Sequence, residues 1–220
     1  MTAPTVIIAV DGAAGSGKST LARGLARALR VPYVNTGSMY RALAAASIRG
    51  EVDARDAEAL VDLARGLRFT VAGEEPPELE VEGYTTDELT TPEVESRVSV
   101  VAAHPAVRAL MRDLQRTIGA HGAVIEGRDI ATVVFPDAPL KVFLRASERE
   151  RSDRRARERG TADATTVRDA IRERDARDAR TNRLEAAPGA VVIDTSDLSI
   201  EATLDAALHH ARRIWPEDAR

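Results

Sequence analysis

The chain has 220 residues, a length suited to one globular domain with an adequate core. Its formal net charge of −4 argues against a nucleic-acid partner, and the lack of cysteine excludes disulfides and thiolate metal sites. No apolar run approaches the roughly 20 residues of a membrane span. The amino terminus has no basic region and enters a strand pattern at once, which is not typical of a signal peptide. We therefore expect a cytoplasmic protein without a membrane partner.

Short β-branched runs alternate with helical patterns along most of the chain. In chain order we predict a strand at 5–10, a helix at 18–29, a strand at 33–35, helices at 38–49 and 56–67, an antiparallel pair within 68–86, helices at 92–101 and 105–119, strands at 123–126 and 140–144, helices at 147–159 and 165–179, a strand at 190–194 and a helix at 199–215. Single apolar strands separated by helices favour an α/β fold, with a parallel sheet flanked by helices on both faces. The alternating pattern within 68–86 predicts a small antiparallel insertion.

Residues 12–20 read GAAGSGKST and fit the phosphate-loop pattern G-x-x-x-x-G-K-S/T. Glycines let the backbone N–H groups turn toward phosphate oxygens, and the helix that follows adds its positive end. We expect Lys18 to reach the β- and γ-phosphates and the Ser19 hydroxyl to bind Mg²⁺. A chance match in a glycine-rich turn is the alternative, and the buried strand before the loop and the helix after it oppose that alternative. The predicted ATP site comprises Gly12, Ala13, Ala14, Gly15, Ser16, Gly17, Lys18, Ser19 and Thr20.

Several classes of phosphate-loop protein can be excluded by what the chain lacks. A GTPase needs an N-K-x-D segment that reads guanine. Lys141 is the only lysine besides Lys18, and it follows a leucine, so the chain has no such segment. A motor ATPase needs a longer chain and a strand that ends in aspartate, where this one ends in Glu126. Kinases of small metabolites remain, and these need a cover that excludes water. The mixed-charge stretch at 147–183 has the composition of a mobile, arginine-rich helical lid, although a solvated helix with internal ion pairs would have the same composition.

Five segments, in order, resemble the bacterial cytidylate kinases: GAAGSGKST (12–20), NTGSMYR (35–41), SVVAAHPAVR (99–108), EGRDIATVVFPDAPLKVFL (126–144) and RERDARD (172–178). The resemblance spans nearly the whole chain, and GRD followed by TVVFPDAP is its most specific part. It implies a three-layer kinase fold with a core at 1–35, 104–146 and 186–220, an acceptor-binding insertion at 36–103 and a lid at 147–185. It implies transfer of the γ-phosphate of ATP to CMP, and to dCMP, with Mg²⁺.

The resemblance also implies roles for individual residues. Ser99, Arg108 and Asp129 are expected to read the edge of cytosine, with Asp129 accepting from the N4 amino group. Arg41 and Arg128 are expected to hold the acceptor phosphate, beside Thr36 and Tyr40. The implied CMP site comprises Thr36, Tyr40, Arg41, Ser99, Arg108, Arg128, Asp129, Arg174, Asp178 and Arg183. The implied catalytic residues are Lys18, Arg41, Arg128 and Arg174.

The chain departs from the family pattern at three positions. Ala13 replaces a proline, Ala131 replaces a glycine, and Thr181 stands where the family has its last lid arginine. Arg180 or Arg183 could supply that last arginine, and we favour Arg183. For the residue that stacks on adenine, Arg151 and Arg154 stay open.

Two alternatives to a CMP kinase stay open at this point. The first is a kinase for UMP, AMP or a non-nucleotide metabolite. The second is an ATP-dependent regulatory module whose arginine-rich helices bind RNA or a protein, and the acidic residues interleaved with those arginines argue against it. We expect a monomer that acts on small-molecule nucleotides.

Overall fold

A computed structural model describes residues 5–159, 168–169, 171–172, 175–176 and 184–216. Its strands are β1 Ile7–Gly12, β2 Tyr33–Asn35, β3 Phe69–Ala72, β4 Glu78–Val81, β5 Ala123–Gly127, β6 Leu140–Arg145 and β7 Val191–Asp194. Its helices are α1 Lys18–Leu29, α2 Thr36–Arg49, α3 Ala57–Gly66, α4 Thr86–Leu89, α5 Pro92–Val101, α6 Pro105–Gly119, α7 Glu148–Arg159 and α8 Ile200–Ile214. A single π-helical turn covers Ile130–Val134.

The seven strands form one sheet in the order β3-β4-β2-β5-β1-β6-β7. All neighbouring pairs are parallel except β3 and β4, which are antiparallel. Because β1 lies between β5 and β6 and runs parallel to both, the loops that follow these three strands leave the same edge of the sheet. In open parallel sheets this carboxyl edge is where ligands bind.

Helices cover both faces of the sheet, which explains why β1 is apolar from Ile7 to Val10. Ile8 and Val10 point to a cluster that contains α1, α8 and Trp215. Ala9, between them, points to a second cluster that contains Ile130 and Val134 of the π-helical turn. Successive side chains of a strand point to opposite faces, so a strand that is buried on both faces reads as a continuous apolar run. A third cluster joins α2, α3, α5 and α6 into the part of the molecule that contains the predicted acceptor site.

The predicted α/β fold with a parallel sheet flanked by helices is confirmed. The antiparallel pair is also present, but it extends the main sheet, because β4 pairs with β2 through Tyr33 and Glu78. The sequence patterns did not predict α4 or the π-helical turn. Most of the helix predicted at 165–179 lies outside the described residues, although 168–169, 171–172 and 175–176 are helical. The division into core, insertion and lid stays a prediction. No described helix is long and apolar enough to cross a membrane.

Candidate active site

The loop between β1 and α1 is shaped by glycines at the points of closest packing. Gly12, Gly15 and Gly17 have φ values of 154°, 72° and 90°, a region that favours glycine. A Cβ atom on Gly12 would lie 2.5 Å from the Leu144 carbonyl oxygen, and one on Gly15 would lie 2.9 Å from that of Arg151. The loop can therefore curl against β6 and α7 only with glycine at these positions.

The polar groups of the loop fit an anionic ligand. The Ser16 hydroxyl oxygen is buried and has no hydrogen-bond partner among the residues that the structure describes. The Lys18 ammonium group donates to the Ala13 carbonyl oxygen at 2.7 Å, so its charge lies over the loop. The first turn of α1 contains no acidic residue, and Ser19 is exposed in that turn. A buried hydroxyl, an ammonium group and a helix amino terminus together suit the phosphates of a nucleotide.

A cavity of about 390 Å³ lies beside the loop. Its lining includes Gly15, Gly17, Thr20, Leu21, Arg154, Thr195, Leu198 and Ile200. The Arg154 guanidinium group is fixed there, since it donates to the Thr195 carbonyl oxygen at 2.5 Å and to Glu150 at 2.9 Å. Arg151 instead is buried behind the loop, where it donates to the Ala14 carbonyl oxygen at 3.1 Å and to Asp175 at 2.6 Å. Of the two candidates for stacking on adenine, Arg154 is the one that lines the cavity.

On the other side of the loop, Arg108 of α6 donates to the Asp129 carboxylate. The side chains are 24% and 20% exposed, so both retain a surface that a ligand can contact. Burial raises the pKa of the Tyr40 hydroxyl to about 12, while the charges of Arg108 and Asp129 act on it in opposite directions. The hydroxyl is therefore neutral at physiological pH and lies close to this ion pair.

The two arginines predicted to hold the acceptor phosphate are tied to different elements. The Arg41 Nε atom donates to Glu95 of α5 at 2.9 Å, and Arg155 of α7 lies 3.9 Å from the other carboxylate oxygen. Arg128 donates through Nη1 to the Gly12 carbonyl oxygen at 2.7 Å, so it contacts the phosphate loop directly. Ser99 lies four residues after Glu95 in α5, which places it on the same helix face.

A second polar network lies beneath the start of α1. The Tyr33 hydroxyl donates to the buried Glu126 carboxylate and also lies within reach of the Ser19 hydroxyl. Burial, followed by the charge of Glu126, raises the pKa of Tyr33. Thr36 is also buried, and its hydroxyl donates to the Glu126 carbonyl oxygen at 2.7 Å. This bond ties the start of α2 to the end of β5, whereas the sequence predicted a ligand contact for Thr36.

Asp11 is a charged residue of this region that was not singled out from the sequence. Asp11 is buried in β1, and its carboxylate accepts from the Ile130 amide at 2.9 Å and the Ala131 amide at 2.7 Å. Burial raises the pKa of Asp11 from its ordinary value of 3.8 to about 6, against the lowering effect of the two amides. The available signal was an acidic residue at the end of a strand that is otherwise apolar.

The structure thus brings most of the predicted residues to one edge of the sheet, on both sides of the phosphate loop. Arg174, Asp178 and Arg183, with the alternative Arg180, lie outside the described residues. Their predicted contacts with the acceptor stay predictions.

Comparison with known proteins gives a consistent result over nearly the whole chain. Residues 8–213 match the family described as cytidylate kinase. The cytidylate kinase of Roseiflexus castenholzii is 47% identical over 193 residues, which cover 81% of this chain and 82% of that protein. The cytidylate kinase of Streptomyces avermitilis is 39% identical over 212 residues, which cover 93% of this chain and 91% of that protein. The cytidylate kinase of Enterobacter sp. strain 638 is 41% identical over 225 residues, which cover 97% of this chain and 98% of that protein. The chain therefore belongs to the cytidylate kinase family.

Proposed function

We propose that the chain transfers the γ-phosphate of ATP to CMP, giving ADP and CDP, and that it accepts dCMP in the same way. The observation that carries this proposal is the hydrogen bond between Arg128 and the Gly12 carbonyl oxygen. Arg128 precedes Asp129, the partner of Arg108, so the predicted phosphate and base contacts of the acceptor lie directly beside the donor loop. This arrangement is what direct transfer between two bound nucleotides requires.

The Arg108 and Asp129 pair can account for the choice of cytosine. The Asp129 carboxylate accepts from the N4 amino group, and the Arg108 guanidinium group donates to O2 and N3. Uracil has an oxygen in place of the amino group, and the carboxylate would repel it. Ser99, on the helix face that also presents Glu95, adds a hydroxyl on the α5 side of the site.

The reaction needs no covalent enzyme intermediate and no strong base. The second pKa of a phosphate monoester is near 6, so the acceptor phosphate is already an anionic nucleophile at neutral pH. One of its oxygens forms a bond to the γ-phosphorus, while the bond to the β,γ-bridging oxygen breaks and ADP leaves. Arg41 and Arg128 orient the nucleophile, and Lys18 with the loop amides stabilises the charge on the donor phosphates. Arg174 is proposed to approach the same phosphates from the lid.

The start of α1 suits a magnesium ion that accompanies ATP. Ser19 presents a hydroxyl at the phosphate loop, and the Glu126 carboxylate lies behind it, linked through Tyr33. Magnesium commonly takes one or two protein ligands together with phosphate oxygens and water. When bound, the ion would neutralise charge on the β- and γ-phosphate oxygens.

The cavity lined by Arg154 is proposed to bind the adenine of ATP. It adjoins Gly15 and Gly17 of the phosphate loop, and Leu21, Leu198 and Ile200 give it apolar walls. A planar guanidinium group held by Thr195 can stack on a purine ring. We further propose that the protein works as a cytoplasmic monomer on free nucleotides. Its negative net charge disfavours a nucleic-acid partner.

An acceptor screen tests the function. The purified chain with ATP and Mg²⁺ is given CMP, dCMP, UMP or AMP, and ADP release is measured. We expect the largest kcat/KM with CMP, followed by dCMP. A preference for UMP or AMP would overturn the assigned acceptor. Salt-sensitive RNA binding without CMP-stimulated ADP release would favour the regulatory module instead.

A further inference from the structure

The π-helical turn at Ile130–Val134 is capped by a residue that is distant in the sequence. Asp129 occupies its N-cap position, where aspartate usually accepts from an amide two or three residues ahead. Here the Asp129 side chain makes no capping hydrogen bond, and its carboxylate pairs with Arg108. The amides of Ile130 and Ala131, the first two of the turn, donate to the two carboxylate oxygens of Asp11.

The register of the sheet places Asp11 where it can accept from the Ile130 and Ala131 amides. It lies opposite Gly127 of β5, two residues before Asp129. Its side chain is 3% exposed and uses one oxygen for each amide. A carboxylate at the amino end of a helical turn gains charge-assisted hydrogen bonds and a favourable interaction with the backbone dipoles.

The segment that contains Arg128 and Asp129 is thus held on both sides by the end of β1. Before Asp129, the Arg128 side chain donates to the Gly12 carbonyl oxygen at 2.7 Å. After Asp129, the next two amides donate to Asp11 at 2.9 and 2.7 Å. The strand that leads into the phosphate loop therefore also holds the Arg128 side chain before the predicted base-reading carboxylate and the backbone after it.

We propose that Asp11 is a positioning residue for acceptor selection: it caps the turn in place of Asp129 and so leaves the Asp129 carboxylate directed at the acceptor base. This inference rests on the proposed function, in which Asp129 reads cytosine. Asp11 touches neither nucleotide, and its effect on the reaction passes through Asp129.

An Asp11→Asn variant tests the proposal with little change in size. Asparagine has one acceptor oxygen, and its amino group would face one of the two N–H donors. Asp129 then becomes the better cap for its own turn and moves away from the base. We expect the KM for CMP to rise about tenfold and the preference for CMP over UMP to fall by a similar factor, with the KM for ATP within about twofold of the wild type.

Asp56→Ala is the control, because Asp56 caps α3 by accepting from two amides through one oxygen, Glu58 at 3.1 Å and Ala59 at 3.0 Å, and alanine removes that acceptor. Asp56 is exposed and is not among the residues of the predicted site. This variant should lower Tm and leave the KM of both nucleotides unchanged, which separates the loss of a cap from the loss of acceptor positioning.

Two comparisons decide the outcome. In an Asp129→Ala background, Asp11→Asn should raise the KM for CMP no further, because the group through which it acts is gone. An additional increase in that background, or equal increases for CMP and ATP in the single variant, would overturn the role of Asp11.

The Asp129→Ala variant alone separates this inference from the function on which it rests. If it leaves the KM for CMP unchanged, the assignment of Asp129 fails. If it raises that KM and Asp11→Asn does not, only the role of Asp11 fails. Should Asp11→Asn not fold, Asp11→Ser, which keeps one acceptor oxygen, is judged by the same criteria.

Discussion

The loops that follow β1 and β5 lie side by side but offer different groups to a ligand. The loop after β1 consists of glycines, small residues and one lysine, so most of its binding groups belong to the backbone. The segment after β5 offers the side chains of Arg128 and Asp129, and Asp129 pairs with Arg108 of α6 in the proposed base-reading site. A loop that binds through its backbone recognises any nucleoside triphosphate, whereas a site built from side chains of several elements can select one base. We therefore expect the first loop to bind the phosphoryl donor and the second to select the acceptor.

The strongest test of this contrast is Lys18→Ala, which removes the one cationic side chain of the first loop. We expect kcat/KM to fall about 10³-fold for every acceptor, because the stabilised charge lies on the shared donor phosphates. The measurement is ADP release with CMP and dCMP, with Tm recorded to show that the fold is intact.

Lys141→Ala is the natural control, since Lys141 is the only other lysine and its ammonium group lies 3.5 Å from the Pro188 carbonyl oxygen. Its activity should equal that of the wild type. A loss confined to one acceptor in the Lys18 variant would contradict the division of roles between the two loops.

Asp129→Ala makes the complementary change in the second segment. We expect the KM for CMP to rise about 50-fold, because a charge-assisted hydrogen bond to the N4 amino group is lost, while the KM for ATP stays within twofold. Selectivity for CMP over UMP should also fall, because the repulsion of uracil O4 disappears. Initial rates over a range of CMP, UMP and ATP concentrations give all three values. Equal increases for both substrates would show that Asp129 supports the fold and does not read the base.

The two loops also differ in how far the sequence could predict them. The phosphate loop is local, since nine consecutive residues between a strand and a helix specify its conformation, and its position after β1 was predicted correctly. The role of Asp11 could not be predicted, because its partners are 119 and 120 residues further along the chain. The same holds for Glu95, which lies 54 residues from Arg41. Such contacts depend on sheet register and helix packing, which no local pattern encodes.

The choice between Arg151 and Arg154 as the residue that stacks on adenine also could not be made from the sequence, although both lie in one helix. Both are arginines in the first two turns of α7, and no sequence pattern favours one over the other. Arg154 lines the cavity because Thr195, 41 residues away, accepts from its guanidinium group, while Arg151 is turned toward Asp175. Contacts with Asp175 and with Thr195 after β7 position the two side chains, and these contacts form only in the folded protein.

The pH dependence of the unfolding free energy tests Asp11, which links the end of β1 to the segment after β5. The pKa of Asp11 is raised to about 6, chiefly by burial and also by the charge of Asp129, while the Ala131 and Ile130 amides and Lys18 oppose the shift. Because the folded-state pKa is raised, Asp11 contributes stability that is fully present below its unfolded pKa of 3.8 and is lost as the pH rises through 6.

Relative to Asp11→Asn, the wild type should therefore lose roughly 2–3 kcal/mol of unfolding free energy between pH 4 and pH 7. Urea unfolding of both proteins at these two pH values measures the difference, and other titrating groups cancel in the comparison. A difference that does not change with pH would mean that the Asp11 carboxylate is ionised throughout this range in the folded protein.

The smallest expected effect is that of Arg154→Ala. This variant changes the cavity proposed for ATP and leaves the proposed acceptor site intact. Loss of the guanidinium group from the cavity should raise the KM for ATP about tenfold, because a stacking contact with adenine is removed. The KM for CMP should not change, since Arg108 and Asp129 lie on the other side of the loop. Arg149→Ala, in the same helix with a side chain 88% exposed, should have no effect on either substrate. If Arg154→Ala raised the KM for CMP instead, the cavity would belong to the acceptor, and the assignment of the two sides of the loop would be reversed.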